Sequence, residues 1–458
     1  MINFNKEDNM EDPRQLENFG YKEELKRSLT FWDLLIYGMI FMVPIAPFGV
    51  FGYVHEASKG MVALAYLIGM SGMIFSAFSY ARMSEAFPIA GSVYAYAQRG
   101  INENVGFMAG WAILADYILI PSLLYLVSAA ALTAILPSIP MIFWLVLFIV
   151  INTAINVRGI EFTAKANKII LILEFIVLAI FMFFALKALG SGGSETLTMK
   201  PLYDSANFSM PLVMSAVSIA VLSFLGFDGI STLSEEVKGG SKVIGKATVS
   251  ALLIVGVLFI LQTWVATDLG RNITFDNLDI AFYQIAEKAG GQWLMTTTIL
   301  ATAFSWGIAN ALAAQAAISR ILFSMARDKK LPTILAKVHP KYQTPYVSTL
   351  FVAVISLAVG IFFQSRIAFL TTLVNFGALV AFLMLHVSVI NYFIIRKKST
   401  DYVRHLLFPA IGFCIIAYVL FGMSSDAIVL GCSWFAIGLV YLLILTKVLK
   451  KEAKVDLD

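Results

Sequence analysis

Long apolar runs alternate with short polar connections along almost the whole chain, and each run approaches the ~20 residues a membrane-crossing helix needs. They predict about twelve spans, near 30–54, 61–81, 105–136, 141–157, 169–189, 211–236, 248–270, 292–325, 346–363, 367–395, 406–423 and 427–449. The third and eighth are too long for a straight crossing, so they tilt or extend past the bilayer. Two runs are interrupted from within. Tyr37 to Gly49 holds Pro44 and Pro47, and a proline inside a helix removes a backbone donor and clashes with the preceding turn, at about 3 kcal/mol. Ser223 to Glu236 holds Gly226, Asp228 and Gly229 directly after the apolar run from Pro211 to Leu222. A charge in hydrocarbon costs roughly 2.5–3.5 kcal/mol on insertion scales, and glycine weakens a helix by about 1 kcal/mol relative to alanine. One proline kink alone is common in membrane helices. Breaks in spans 1 and 6, five spans apart, predict two inverted repeats of five helices, with a site built at the breaks.

Composition fits this pattern: 59% of the 458 residues are hydrophobic and 14% are charged, where soluble domains carry about 25% charged residues. No polar linker divides the chain. The expected organisation is a cytoplasmic tail over 1–29, a ten-helix transport core over 30–395, and two peripheral helices with a cytoplasmic tail over 396–458. No short apolar core with a cleavage site precedes the first span, so no cleaved signal peptide is expected. Lys and Arg set the orientation. One set of connections holds Lys22, Lys26, Arg27, Arg82, Arg99, Arg158, Lys165, Lys168, Lys238, Lys242, Lys246, Arg327, Lys329, Lys330, Lys337, Lys341, Arg396, Lys397, Lys398 and Arg404, and the tail adds Lys447, Lys450, Lys451 and Lys454. The other set holds Lys59, Lys200, Arg271, Lys288 and Arg366. Both termini are therefore expected in the cytoplasm, in a multi-pass plasma-membrane protein. The net charge of +4 is this topological signal and gives no support for nucleic-acid binding.

Intramembrane carboxyls are the candidate chemistry. Asp228 sits just after the sixth-span break and serves either as a helix cap or as part of a site. Glu235 and Glu236 lie two turns on, toward the cytoplasmic end, where a solvated or gate-forming role is expected rather than substrate contact. Glu174 stands alone in the apolar run Ile169 to Leu178; burial there favours its neutral form, which makes it a candidate proton carrier, against a silent pairing with a polar neighbour. Asp116, in Gly110 to Tyr117, fits equally a cationic substrate or a structural hydrogen bond. Cys414 and Cys432 fall in late spans, with core packing expected. His55, His339, His386 and His405 have no metal-ligand spacing. Gly240 to Ala247 approaches a phosphate-binding loop but ends in Ala where Mg²⁺ needs Ser or Thr, and reads as a basic loop. No metal, cofactor or catalytic constellation is expected, and the chain reads as a non-enzyme.

Four stretches carry a resemblance. Ser84-Glu85-Ala86-Phe87-Pro88-Ile89-Ala90-Gly91-Ser92-Val93-Tyr94-Ala95-Tyr96 is similar to the hallmark after the second span of amino acid–polyamine–organocation (APC) transporters. Phe224 to Asp228 with Glu235-Glu236 resembles their sixth span, Ser319-Arg320 through Pro332 the end of their eighth, and Asn375 to Phe382 their tenth. Within that superfamily the chain looks most like bacterial putrescine importers, on Gly106 to Tyr117, Ser223 to Glu236 and Asn375 to Phe382. The resemblance implies an all-α, LeuT-like integral membrane fold with broken helices 1 and 6, and alternating access. It places substrate against Val43, Pro44, Ile45, Ala46 and Pro47, with Asp116, Phe224, Gly226, Phe227 and Asp228 around it. Amino acid permeases usually hold the substrate carboxylate on a glycine-rich first break, and here prolines stand instead. Some proton-coupled relatives carry a lysine where Glu174 falls.

The leading expectation is import of a small amine, a polyamine such as putrescine, coupled to protons. The alternatives are an amino acid permease or exchanger and, from another class, a transceptor that senses its ligand without moving it. Sodium coupling stays open, although Gly307 to Ala314 offers no Ser or Thr to such a site.

Overall fold

The computed structural model describes residues 25–191, 196–275, 277–364, 367–423, 425–444 and 446. Most of the expected N-terminal tail with Lys22, the Lys165 side chain, Arg366 and the C-terminal Lys447, Lys450, Lys451 and Lys454 lie outside the described residues. Among the described residues eleven helices are long and apolar enough to cross a membrane, and a bent pair, Phe31–Met42 with Pro47–Ser58, makes a twelfth span. The protein is an all-α integral membrane protein, and among the described residues the only β pairing is an isolated bridge from Leu29 to Val237.

Span 1 is that bent pair, turned by 51°. It starts on a reciprocal cap between Thr30 and Asp33. It stops at Met42 because Pro44 cannot continue the ladder, and restarts at Pro47, whose missing amide is unneeded in a first turn. Span 2 is Val62–Ala86, and a short helix, Ser92–Gly100, leads to span 3, Glu103–Tyr117 with Ile120–Ile135. Span 4 is Met141–Arg158 and span 5 is Ile160–Gly190. Span 6 is α-helical over Met210–Ala220 and then winds as 3₁₀ helix through Val221–Phe224 and Phe227–Glu236. The tight winding has a local cause. The hydroxyls of Ser231, Thr232 and Ser234 each donate to the carbonyl three residues back, where they compete with the α-helical ladder.

Span 7 is Lys242–Gly270, so the expected basic loop at Gly240 to Ala247 is instead largely the first turns of a helix; helix propensity there prevails over the glycine-lysine pattern. The helix Ala281–Gly290 precedes span 8, which is Gln292–Phe304 and Ala311–Arg327 joined by a π-helical turn at Ser305–Asn310. Spans 9 and 10 are Tyr346–Phe363 and Ile367–Val389. Spans 11 and 12 are Val403–Phe421 and Ser425–Leu443.

The packing survives exchange of each of the first five spans with the span five later. Span 1 packs on span 7 and span 6 on span 2; span 3 packs on span 10 and span 8 on span 5; spans 3 and 4 pair as do spans 8 and 9; span 4 touches span 8 as span 9 touches span 3. Five is odd, so the second set enters from the opposite face, which is the inverted repeat of a LeuT-like fold.

Spans 11 and 12 sit outside this exchange. Trp111 and Trp434 stack 5.0 Å apart and each indole donates to the other's carbonyl, which fixes span 12 to span 3. Cys414 and Cys432 are exposed and unpaired rather than packed in a core: an apolar span has a lipid-facing side on which a thiol is accommodated without neighbours.

Candidate functional site

The two breaks face each other at the middle of the bundle. In the first, Val43 is buried at φ 55, a conformation that costs a β-branched residue free energy and clusters at functional sites. The Pro44 carbonyl accepts from Gln262 of span 7 at 2.8 Å. Three amides at this break are already used: Ala46 donates to Val43, Phe48 to Ile45 and Gly49 to Ala46, at 2.8, 3.0 and 3.2 Å. In the second break Leu225 is extended and Gly226 takes φ 110. A Cβ at Gly226 or Gly229 would lie 2.6 or 2.4 Å from the Phe41 ring, so both glycines exist here to let span 1 close onto span 6.

A cavity opens beside these breaks. Its wall is chiefly apolar, with Phe41, Met42 and Ala46 from span 1, Leu123 from span 3 and Leu225 from span 6. Ser223, Trp306 and Asn310 add polar groups. The Ser223 hydroxyl is engaged by Tyr66 at 2.9 Å, whereas Trp306 Nε1 and Asn310 Oδ1 are buried with no hydrogen-bond partner.

Of the residues expected at the site, Ala46 lines this cavity, and Val43, Pro44, Ile45 and Pro47 form the link behind it. Phe224 is placed elsewhere. Its ring packs against Tyr66 and Phe259, 6.0 and 5.2 Å away, in the wall toward spans 2 and 7. Phe227 packs on Tyr80 and Phe382. Asp116 is buried at the contact of spans 3 and 10, with Oδ1 unpartnered. Asp228 is fully buried in the first turn of the 3₁₀ segment. Its Oδ2 accepts from the Tyr117 hydroxyl at 2.6 Å and the Tyr80 hydroxyl at 3.3 Å, while Oδ1 has no partner at hydrogen-bonding geometry, the Gly226 and Asp228 amides lying close to the carboxylate. Phe41, on the cavity wall, packs with its other side on Gly226, Gly229 and Tyr117, and so stands between the cavity and Asp228.

Glu174 is 1% exposed and both its oxygens lack a partner at hydrogen-bonding geometry. The polar group facing it is the Ser305 side chain, at the start of the π turn. Such turns leave the α-helical ladder and are frequent at functional sites.

Glu235 and Glu236 are buried, not solvated, and each is paired. Glu236 meets Nε and an outer nitrogen of Arg320, and Glu235 takes two bonds from Arg327, at 2.7 and 3.0 Å. Glu235 also accepts from the Ala90 amide at 2.9 Å, and the Ala90 carbonyl accepts from Ser324 at 2.8 Å. Tyr94 donates to Asp328 at 2.7 Å and Tyr37 to the Ala313 carbonyl at 2.6 Å. The stretch Pro88 to Tyr94 is thus the piece that ties span 6 to span 8 at the end of the bundle with the basic connections.

Comparisons with known proteins identify the family. The amino acid permease family model matches residues 29–446. The chain belongs to the amino acid permease family, within the APC superfamily. The permease is 33% identical to the low-affinity putrescine importer PlaP of Escherichia coli, over 93% of this chain and 94% of that one. It is 26% identical to the branched-chain amino acid permease BcaP of Bacillus subtilis, over 92% of this chain and 93% of the other. It is 27% identical to a methylthioribose transporter of the same organism, over 92% and 94%. The permease is a multi-pass membrane transporter, not an enzyme.

Reasoning from residues alone missed Phe41, Tyr80, Tyr117, Trp306 and Asn310, because an aromatic ring or an amide in an apolar span carries no charge to mark it. Arg320 could have been found: a lone arginine deep in an apolar span demands a buried acid, and Glu235-Glu236 were the available acids.

Proposed function

We propose that this permease imports a small amine, a polyamine such as putrescine, by proton symport with alternating access. The observation that carries the reading is Asp228, a buried carboxylate on which two tyrosines hold Oδ2 while Oδ1 has no partner at hydrogen-bonding geometry, the backbone amides of Gly226 and Asp228 being near. An acceptor left open in a dry site favours a cation that brings its own donors. The first break supports the same class of substrate. Helix N-termini with open amides capture carboxylates, and here two positions are proline and the amides of Ala46, Phe48 and Gly49 are occupied. The mostly apolar wall of the cavity suits the methylene chain of a diamine once the cavity widens to admit it. Phe41 has to swing aside for an ammonium group to reach Oδ1, which makes it an inner barrier of the site. The named function of the 33% identical relative is in line with this.

Glu174 is assigned the driving proton. It has no partner to hold its charge, and it lies against the span 8 turn that borders the first break. Residues 30–395 form the moving core, and both termini lie in the cytoplasm, with the basic end of the bundle facing inward.

Competition for bound radiolabelled putrescine tests the substrate. Diamines are expected to displace it more effectively than ornithine or neutral amino acids, and Asp228→Asn is expected to weaken diamine binding more than it lowers thermal stability. Displacement by neutral amino acids and not by diamines would make the chain an amino acid permease, the reading that the apolar wall favours by itself. For coupling, Glu174→Gln is expected to keep binding and to lose uptake driven by a pH gradient; full gradient-driven uptake in that variant would return Glu174 to a structural role.

A further inference from the structure

Asp228 is sealed in one direction and connected in the other. Toward the cavity it is covered by Phe41, and beyond the cavity Phe48, Phe181 and Phe282 close the bundle with ring centroids 4.0 to 5.8 Å apart. Toward the basic end the neighbours are hydroxyls. Tyr80 donates to Asp228 Oδ2 at 3.3 Å, Ser92 to the Tyr80 oxygen at 3.5 Å, and Ser231 to Ser92 at 3.0 Å. All are buried. Ser92 is brought into this line by an unusual backbone: Gly91 and Ser92 both have positive φ, 120 and 51. Beyond Ser231 come the Tyr96 hydroxyl, buried without a hydrogen-bond partner, and Ser234, next to the Glu235 pair at the gate.

A hydroxyl accepts on its oxygen while giving up its own hydrogen. Along this line Tyr80 and Ser92 donate toward Asp228, and the single Ser231 hydrogen is shared between Ser92 at 3.0 Å and the Asp228 backbone carbonyl at 2.7 Å. We propose that Asp228 takes up a proton from the basic side of the membrane through the Tyr80–Ser92–Ser231 file, and that this proton releases the cation held by the carboxylate. The proposal rests on the reading of Asp228 as the cation site. The step balances simply. The Ser231 hydrogen turns from the Asp228 carbonyl to Ser92, a proton is taken up on the Ser231 oxygen, each hydroxyl passes one on, and the carboxylate becomes a carboxyl with no charge to hold an ammonium group. After the substrate leaves, the proton returns by the same route, so none crosses the membrane on Asp228.

The other titratable and charged groups around Asp228 are compatible with this. Tyr37 of span 1, Tyr80 of span 2, Tyr117 of span 3 and Tyr96 of the short helix are phenols, uncharged at neutral pH. Asp116 of span 3 is the second carboxyl. On span 6 itself, Glu235 and Glu236 are neutralised by Arg327 and Arg320 of span 8.

Infrared difference spectroscopy on ligand-free protein, in proteoliposomes of one orientation, tests the route. The readout is the protonated-carboxyl band that disappears in Asp228→Asn. An acid step on the basic side is expected to raise that band, and the same step on the opposite side to leave it unchanged. Tyr80→Phe and Ser231→Ala are expected to lose the response, and Ser231→Thr, which keeps the hydroxyl, to retain it and to report that the fold is intact. Equal responses from both sides, or a full response in Tyr80→Phe, would overturn the proposal. Release of bound radiolabelled putrescine should follow the same side preference. A normal infrared result with no putrescine binding would support the route and count against the substrate reading alone.

Discussion

At its basic end the permease is closed by charge, with two buried carboxylates of span 6 locked onto two arginines of span 8. At the opposite end it is closed by rings: Phe282 of the helix Ala281–Gly290 stacks on Phe48 at 4.0 Å, Phe51 meets it edge-on, and Gly52 lies against the Leu278 backbone. The two closures fail differently. A buried ion pair with one partner removed strands a charge in low dielectric. Separated rings strand nothing and lose only the burial of apolar area. The charged end therefore opens as a unit, when both partners of a pair are hydrated together, and the aromatic end yields ring by ring.

The largest effect is expected from breaking the charged end. Glu236→Gln leaves Arg320 without its carboxylate and should cost the closed form about 3–5 kcal/mol, read as a drop in thermal stability and as labelling, from the basic side, of a cysteine placed at Ala90. Adding Arg320→Met should recover most of the loss, because an apolar residue strands no charge. A double variant as unstable as Glu236→Gln would show that the pair is not what closes this end. Next comes Phe282→Ala, expected to cost roughly 3 kcal/mol and to expose a cysteine at Val54 from the opposite side only. Exposure at both ends would mean that the two closures are one cooperative unit. A smaller effect is expected where they meet. Gly229→Ala forces a methyl into the Phe41 ring, and overpacking of this kind costs about 1–3 kcal/mol, loosening both ends equally. The last test changes no stability: cysteines at Lys200 and Lys398 should label from opposite faces, Lys200 from outside, and labelling from one face would overturn the orientation.

Much of this architecture is legible in the sequence because the bilayer imposes a simple rule. Apolar length marks the spans, and proline or glycine with aspartate marks the breaks, so the stops at Met42 and Leu225 fall where the local chemistry demands. What stays hidden is direction and long-range pairing. Phe224 and Phe227 are three residues apart beside the break, yet neither ring lines the cavity, because the 3₁₀ winding and Leu225 set their directions. The strap on the opposite face, where Thr198 bonds Asp268 through its amide at 2.6 Å and its hydroxyl at 2.8 Å, joins residues far apart in a connection that reads as featureless. Asp228 was legible as a charge out of place; Tyr80 and Tyr117, which hold it, belong to other spans and carry no mark of their own.

The π turn of span 8 leaves a mechanical signature farther along the helix. Ser305–Asn310 makes its turn with more residues than the α ladder on either side, so the residues beyond it are offset in phase from those before it. One α-helical residue corresponds to about 100° of rotation. Deleting a single residue from that turn would restore a regular helix and leave the far end facing as before, whereas winding the same residues as α helix would rotate everything beyond by about 100°, swinging Arg320 and Arg327 off Glu236 and Glu235. The register of the lock at one end of the transporter is thus written in the winding of a helix at its centre.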